Sequence, residues 1–353
     1  MKILFSKLQD TLEKGGDAVL VTVVASSGST PRGAGARMLV TKEGRIHGTI
    51  GGGAVEYKSE QIAAEVLEKK SSLTENFLLR KNDVLDLGMV CGGDVTVYFH
   101  YIPAADEATL ALCKEVADLY AAGEQCWLIT DITENGSGSL SLYGVKRGVF
   151  GPAVPDSVIE NLKFKPARFE AEGHLYYGEL LIRSGRVYIF GGGHVAQALV
   201  PALTAVNFRC VILEDREDFC RLELFPGVEE TMLIDNNHIE DYITVTPEDY
   251  ICIMTRGHKD DMICEAYAMK TPACYIGVIG SRRKVASVNA KLMDMGFTEE
   301  DLSRITTPIG LDIMAETPAE IAVSITAQMI HERAKRTKAA GNCVKKDYDV
   351  IHS

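Results

Sequence analysis

A cysteine set among glycines, in the run Gly88, Met89, Val90, Cys91, Gly92, Gly93, is one place where this sequence could do chemistry. Glycine leaves backbone amides bare, and bare amides can stabilise a thiolate, which is both a nucleophile and a soft ligand for a metal or for sulfur. An inert core thiol is the equally ordinary use of a lone cysteine, so residue type alone leaves both roles open. A second place is Gly191, Gly192, Gly193, His194, Val195, Ala196, which fits GxGxxA directly after the apolar run VYIF. Between strand and helix this pattern gives a tight turn, close backbone approach to a phosphate, and a helix N-terminus whose free N–H groups favour an anion. Asp215 lies 22 positions beyond Gly193, near the spacing of about 20 for an acid that binds a ribose. The same glycines would also serve a strand and helix that merely pack closely.

A third turn, Gly277, Val278, Ile279, Gly280, runs into Ser281, Arg282, Arg283 and Lys284: an N-cap candidate followed by cations. Such a start suits a phosphate, or a solvated helix end with snorkelling side chains. Thr255 to Asp261 follow the apolar run YICIM, outside the carboxyl end of a strand, where doubly wound sheets hold ligands. His258 and Asp261 are the candidates there, each equally suited to a cap or a solvated loop.

The elements that would position these residues follow from periodicity. AVLVTVV from Ala18 reads as a buried strand, and short strands follow around Arg37 to Val40 and Arg45 to His47. After Gly51, Gly52 and Gly53 the period changes: Val55, Ile62, Ala63, Val66 and Leu67 share one helical face. Strands at 73–79, 95–101 and 126–131 and a helix over 106–122 complete an α/β domain over residues 1–135. Residues 136–185 carry short alternating segments among Gly, Ser and Pro and read as a linker with β-hairpins. From 186 to 353 strands and helices alternate, which implies a doubly wound, Rossmann-like parallel sheet. Within it Pro201 predicts a kinked or shortened helix, Asn207 a left-handed cap, and Thr317 with Glu320 a capping box.

The chain's 353 residues make about 2.4 domains at the usual ~150 each, so one small core is excluded. With 37 Lys and Arg against 49 Asp and Glu, the net charge of −12 repels a nucleic-acid backbone, and an anionic ligand needs a local cationic site. No apolar run approaches the about 20 residues that span a bilayer, and MKILFSKLQD turns polar too soon for a secretion signal, so a cytoplasmic protein off the membrane is expected. Nine cysteines without a CxxC pair point to reduced thiols rather than disulfides or structural zinc.

In order along the chain, GSTPRGAGARMLV, GTIGGGAVE, GMVCGGDVTVYF, FGGGHVAQAL, EDREDF, MTRGHKDD, YIGVIGSRRK, PIGLDI and TPAEIAVSI resemble the XdhC/CoxI family of accessory factors for molybdenum hydroxylases. The resemblance implies an N-terminal α/β XdhC/CoxI domain and a C-terminal Rossmann-like domain. It further implies a dimeric chaperone, a maturation factor in preference to a catalyst, that binds molybdenum cofactor as molybdopterin or its cytosine dinucleotide. Such a protein would promote sulfuration by a cysteine desulfurase and pass the cofactor to an apo molybdenum hydroxylase. Cys91 then carries the reactive, metal-facing sulfur. The expected cofactor-binding residues are Gly51, Gly52, Gly53, Gly92 and Gly93 in the first domain. In the second they are Gly191, Gly192, Gly193, His194, Asp215, His258, Asp261, Gly280, Ser281, Arg282 and Arg283. Many members carry His directly after the strand-end Thr; Arg256 stands there in this chain, leaving His258 as the substitute. Competing readings are an NAD(P)-dependent oxidoreductase and a nucleotide-sensing regulator of the hydroxylase.

Overall fold

The computed structural model describes residues 1–28, 32–78, 93–133, 138–183, 185–280 and 282–339. The chain divides into two compact units, Met1–Arg183 and Ser184–Ala339.

The first unit begins with helix α1, Lys2–Glu13, where periodicity along the sequence had suggested no element. Its stripe of Leu4, Phe5, Leu8 and Leu12 is fully buried, which is what an amphipathic helix needs to fold onto a core. Strands β1 (Ala18–Gly28), β2 (Arg37–Thr41) and β3 (Gly44–Thr49) follow, then α2 (Gly53–Lys69), β4 (Leu73–Leu78), β5 (Gly93–Ile102) and α3 (Glu107–Ala122). The five strands form one antiparallel sheet ordered β3-β2-β1-β5-β4. Val55, Ala63 and Val66 of α2 cover one face of it, against Val21, Met38, Val97 and Phe99.

The segment read as hairpins supplies a second sheet. β6 (Cys126–Asp131), β7 (Leu140–Gly144), β8 (Gly148–Phe150), the one-turn helix α4 (Asp156–Glu160), β9 (Ala167–Ala171) and β10 (His174–Ile182) give the order β8-β7-β6-β10-β9. Leu128, Leu142 and Leu181 of this sheet share a core with Leu20, Leu39 and Ile102 of the first and with α1 and α3. Trp127, Ile129 and Tyr176 point the other way, onto Val158 and Leu162. These strands are thus a full structural layer; their alternating residues are buried on both faces, and the glycines mark tight turns between them.

The second unit contains β11 (Val187–Phe190), α5 (His194–Ala205), β12 (Cys210–Glu214), β13 (Glu230–Leu233), β14 (Tyr250–Ile253), α6 (His258–Met269), β15 (Tyr275–Val278), α7 (Arg282–Asp294), α8 (Glu299–Ser303), β16 (Ile305–Thr306) and α9 (Pro318–Ala339). Its six strands are all parallel and ordered β13-β12-β11-β14-β15-β16, which is the 3-2-1-4-5-6 order of the Rossmann fold. α5 and α9 cover one face through Leu199, Leu203, Ile325 and Met329; α6 and the segment around Ile234 to Val245 cover the other. Helix α5 continues through Pro201, because that residue lies on the exposed face, where water can serve the carbonyl that the ring cannot. Asn207 adopts φ 65° and closes the helix as expected, and Thr317 with Glu320 forms the reciprocal cap of α9. Among the described residues no helix is long and apolar enough to cross a membrane.

Candidate functional site

Strand order reverses between β11 and β14, so the loops leaving these strands frame the crevice where open α/β sheets hold ligands. The Gly191–Gly193 turn leaves β11 there. Its three glycines do different work. Gly191 has φ 101°, and a Cβ on it would lie 2.4 Å from the Met254 carbonyl oxygen, so it lets the two strand-end loops touch. A Cβ on Gly192 would lie 2.2 Å from the Phe219 oxygen. Gly193 has ordinary φ −69°, caps α5, and a Cβ there would meet nothing within 4 Å. The second glycine of GxGxxA, Gly193, is the one a pyrophosphate approaches, and here it faces open space at a positive helix end. Ala196, in the third small position, is fully buried where helix meets sheet, and His194 is exposed on the first turn of α5.

The acid at the end of β12 is Glu214, with Asp215 one residue beyond. Glu214 is buried and accepts the Gly192 N–H at 2.6 Å, with Arg216 bonded to both its oxygens at 2.7 and 3.0 Å. Burial opposes its charge, but the bonds from Arg216, Asp215 and Gly192 outweigh that and hold the carboxyl at about 2. Asp215 is exposed at the surface, and its carboxyl is pushed up by its hydrogen bond with Glu214 and then by partial burial. Spacing along the sequence points to Asp215 and not to Glu214, because only the fold shows which of two adjacent acids turns inward.

The loop after β14 is fastened from within. Asp261 accepts from the Thr255 hydroxyl at 2.6 Å and the Thr255 N–H at 3.1 Å, and the same hydroxyl oxygen lies 3.1 Å from the Gly257 carbonyl oxygen. Asp261 is therefore the residue that shapes this rim. His258 opens α6, and Glu265, two turns inside that helix, is buried; burial and the Asp261 charge push its carboxyl up to about 7. Within β15, Gly277 makes room for Ile309, whose Cδ1 would lie 2.5 Å from a Cβ there, and beyond the strand Gly280 stands near Thr307. Arg282 and Arg283 open α7; Ser281 lies outside the described residues, as do the side chains of His258, Arg282 and Arg283.

In the first unit, Gly51, Gly52 and Gly53 all have positive φ, at 133°, 74° and 62°, and turn β3 into α2. Glu56, on the first turn of α2, accepts the N–H of Ile50 at 2.9 Å and of Gly52 at 3.1 Å, and also binds the Thr49 hydroxyl and Arg45. These donors outweigh its burial and hold its carboxyl below the usual range. The turn thus has an internal anion of its own, a role no spacing rule flags. Gly93 begins β5; Cys91 and Gly92 lie outside the described residues. Among the described residues no group of three or more His, Cys, Asp or Glu side chains could hold a metal.

Residues 187–329 match the XdhC Rossmann domain, and residues 11–77 match the XdhC and CoxI family. The chain is 25% identical over 333 residues to a Bacillus subtilis protein described as a probable xanthine dehydrogenase component, covering 93% of this chain and 97% of that one. It is 22% identical over 330 residues to the molybdenum cofactor insertion chaperone PaoD of Escherichia coli, covering 92% and 86%. It spans about half the length of another Escherichia coli relative, YqeB, at 22% identity, covering 99% of this chain and 49% of that one. A crystal structure described as a xanthine dehydrogenase from Bacillus halodurans shares the fold, with TM-score 0.78, 24% identity, and coverage of 96% and 98%.

Proposed function

Because the chain belongs to the XdhC and CoxI family, we propose that it is a maturation chaperone that binds molybdenum cofactor and delivers it to a xanthine dehydrogenase-type molybdenum hydroxylase. The relative named as a molybdenum cofactor insertion chaperone supports this reading along most of both chains. The observation that carries it here is the open Gly193 at the switch point of a six-stranded parallel sheet. That position suits an anionic tail in a protein whose net charge of −12 offers such a group little elsewhere.

In this proposal the cofactor is cargo, not a resident catalyst. The Gly193 and His194 amides at the start of α5 take its phosphate, with Gly191 and Gly192 fixing the turn; from the next strand end but one, Gly280 and Ser281 offer a second turn and Arg282 and Arg283 add positive charge. Asp215 and His258 supply polar contacts on the rims that Glu214 and Asp261 shape. Cys91, flanked by Gly92 and Gly93, offers a thiolate to the metal end or to sulfur delivered by a cysteine desulfurase. Gly51 to Gly53 position the start of α2 rather than donate freely, since Glu56 takes the Ile50 and Gly52 amides. A homodimer in the cytoplasm, with a domain boundary near residue 185, completes the proposal.

The test is activation of an apo-hydroxylase with cofactor released from a donor molybdoenzyme. Activation by the chain above that given by free cofactor supports a delivery role; equal activation opposes it. The Rossmann strand order also favours a second reading, a nicotinamide-dependent oxidoreductase or nucleotide sensor. Absorbance at the reduced nicotinamide band during incubation with candidate substrates separates turnover from delivery.

A further inference from the structure

The position that reads a ribose in dinucleotide-binding sheets is closed in this chain. Glu214 Oε1 accepts the N–H of Asp215 at 3.2 Å, the N–H of Arg216 at 3.1 Å and Arg216 Nε at 2.7 Å. Oε2 accepts the Gly192 N–H at 2.6 Å and Arg216 Nη2 at 3.0 Å. Five donors thus meet a carboxylate that has about four lone-pair directions, on a side chain only 1% exposed. Arg216 is itself held in place. Its guanidinium carbon stands 4.0 Å from the centroid of the Phe219 ring, and its Nε lies 3.7 Å from Asp215.

A ribose diol binds by donating to this strand-end acid, so it can enter only by displacing Arg216. A 2′-phosphate is no better served, because the exposed Asp215 carboxylate stands 3.7 Å from Arg216 Nε and, with exposed Glu217 and Asp218 next along the chain, repels added negative charge. The phosphate side of the same crevice is different: Gly193 is open there, with nothing within 4 Å of its would-be Cβ.

Resting on the nucleotide-tail reading of this crevice, we propose that Arg216 is a specificity latch: it occupies Glu214 so that the crevice holds a ligand by its phosphates without reading a ribose diol. A ligand anchored by its pyrophosphate is accepted. Nicotinamide dinucleotides, which rely on the diol at this acid, lose their usual anchor. Residues 214 and 216 therefore set which class of nucleotide the unit takes.

Equilibrium binding of ADP and of 2′,3′-dideoxy-ADP to the full chain tests this directly. The wild-type protein should bind the two within about twofold of each other, since Arg216 occupies the strand-end acid that would accept from the hydroxyls. In Arg216→Gln the freed carboxylate should favour ADP by about tenfold or more, the effect expected of hydrogen bonds to a charged acceptor. A wild-type preference of that size for ADP would overturn the latch, because Glu214 would be reading the diol with Arg216 in place. A folded Arg216→Gln with no gain would overturn it too, by removing Arg216 as the cause. Should that variant fail to fold, the wild-type pair and Arg216→Lys, which keeps the charge but cannot bridge both oxygens, still decide. Absence of binding for both nucleotides in every variant overturns the nucleotide reading itself, a failure separate from a failure to discriminate.

Discussion

Arg37 on β2 and Glu179 on β10 form an ion pair buried between the two sheets of the first unit, their side chains 2% and 7% exposed. Arg37 Nε also donates to Thr22 Oγ1 at 2.9 Å, and the Tyr177 hydroxyl donates to Glu179 at 3.2 Å. Breaking such a pair leaves an uncompensated buried charge, so Glu179→Ala should destabilise this unit by about 3–5 kcal/mol. Trp127 is the chain's one tryptophan and is fully buried in the second sheet, so its fluorescence in a urea titration reads the loss. Replacing both partners, Arg37→Met with Glu179→Leu, should recover most of it.

His100 is buried in the same unit, and its Nδ1 has no hydrogen-bond partner among the described residues. Burial outweighs the opposing charge of Asp106 and, reinforced by the Arg37 charge, pushes the imidazole down to about 4 from an ordinary 6.5. Between those values the unfolded chain binds a proton that the native chain refuses. Stability should therefore fall as pH drops through this window, by up to ~3 kcal/mol in all. The Trp127 urea midpoint, measured at pH 7 and pH 5, should shift less in His100→Gln than in the wild type. Identical shifts in the two proteins would show that His100 is not the titrating group.

Glu56 binds the backbone of the Gly51–Gly53 turn from inside. Removing its carboxylate takes the acceptor from the N–H groups of Ile50 and Gly52, at about 1–3 kcal/mol for a buried donor left unsatisfied. In Glu56→Ala the Ile50 and Gly52 amides should exchange with deuterium faster while β14 amides in the second unit keep their wild-type rates. Unchanged protection at Ile50 would contradict the arrangement.

The glycines of the β11 turn should separate folding from binding. Gly191→Ala drives a Cβ to 2.4 Å from the Met254 oxygen at a φ of 101°, so the second unit should lose stability or fail to fold. Gly193→Val adds side chain into open space at an ordinary φ of −69°, so the thermal midpoint should hold while anion binding is lost. Pyrophosphate binding by calorimetry, alongside thermal melts, checks both.

The Rossmann half is legible in the sequence because its information is local: a run such as YICIM is apolar over one strand length, and Asn207 or Thr317 marks a helix end within a few residues. Helix α1 is equally local, yet its stripe of Leu4, Phe5, Leu8 and Leu12 stands at the extreme N-terminus, where the same few apolar residues weigh first on the question of a secretion signal. The second sheet of the first unit is harder. Its strands are short, and the pairing of Trp127 with Leu180 is a tertiary fact without a sequence signature. Arg37 and Glu179 meet across 142 positions, and neither residue type predicts burial. In the crevice, the glycine pattern locates the turn, but the direction in which Glu214 and Asp215 point depends on Arg216 and on the turn that carries Phe219.

Delivery of molybdenum cofactor stands or falls on whether the folded chain holds it. The protein should be purified from a molybdate-replete host and analysed for molybdenum by mass spectrometry and for pterin by fluorescence on one sample. Molybdenum and pterin present together in amounts comparable to the chain, and both lost in a Cys91→Ala protein of unchanged thermal stability, are the predicted result. A wild-type protein carrying neither above background, even after incubation with cofactor released from a donor molybdoenzyme, would contradict the account.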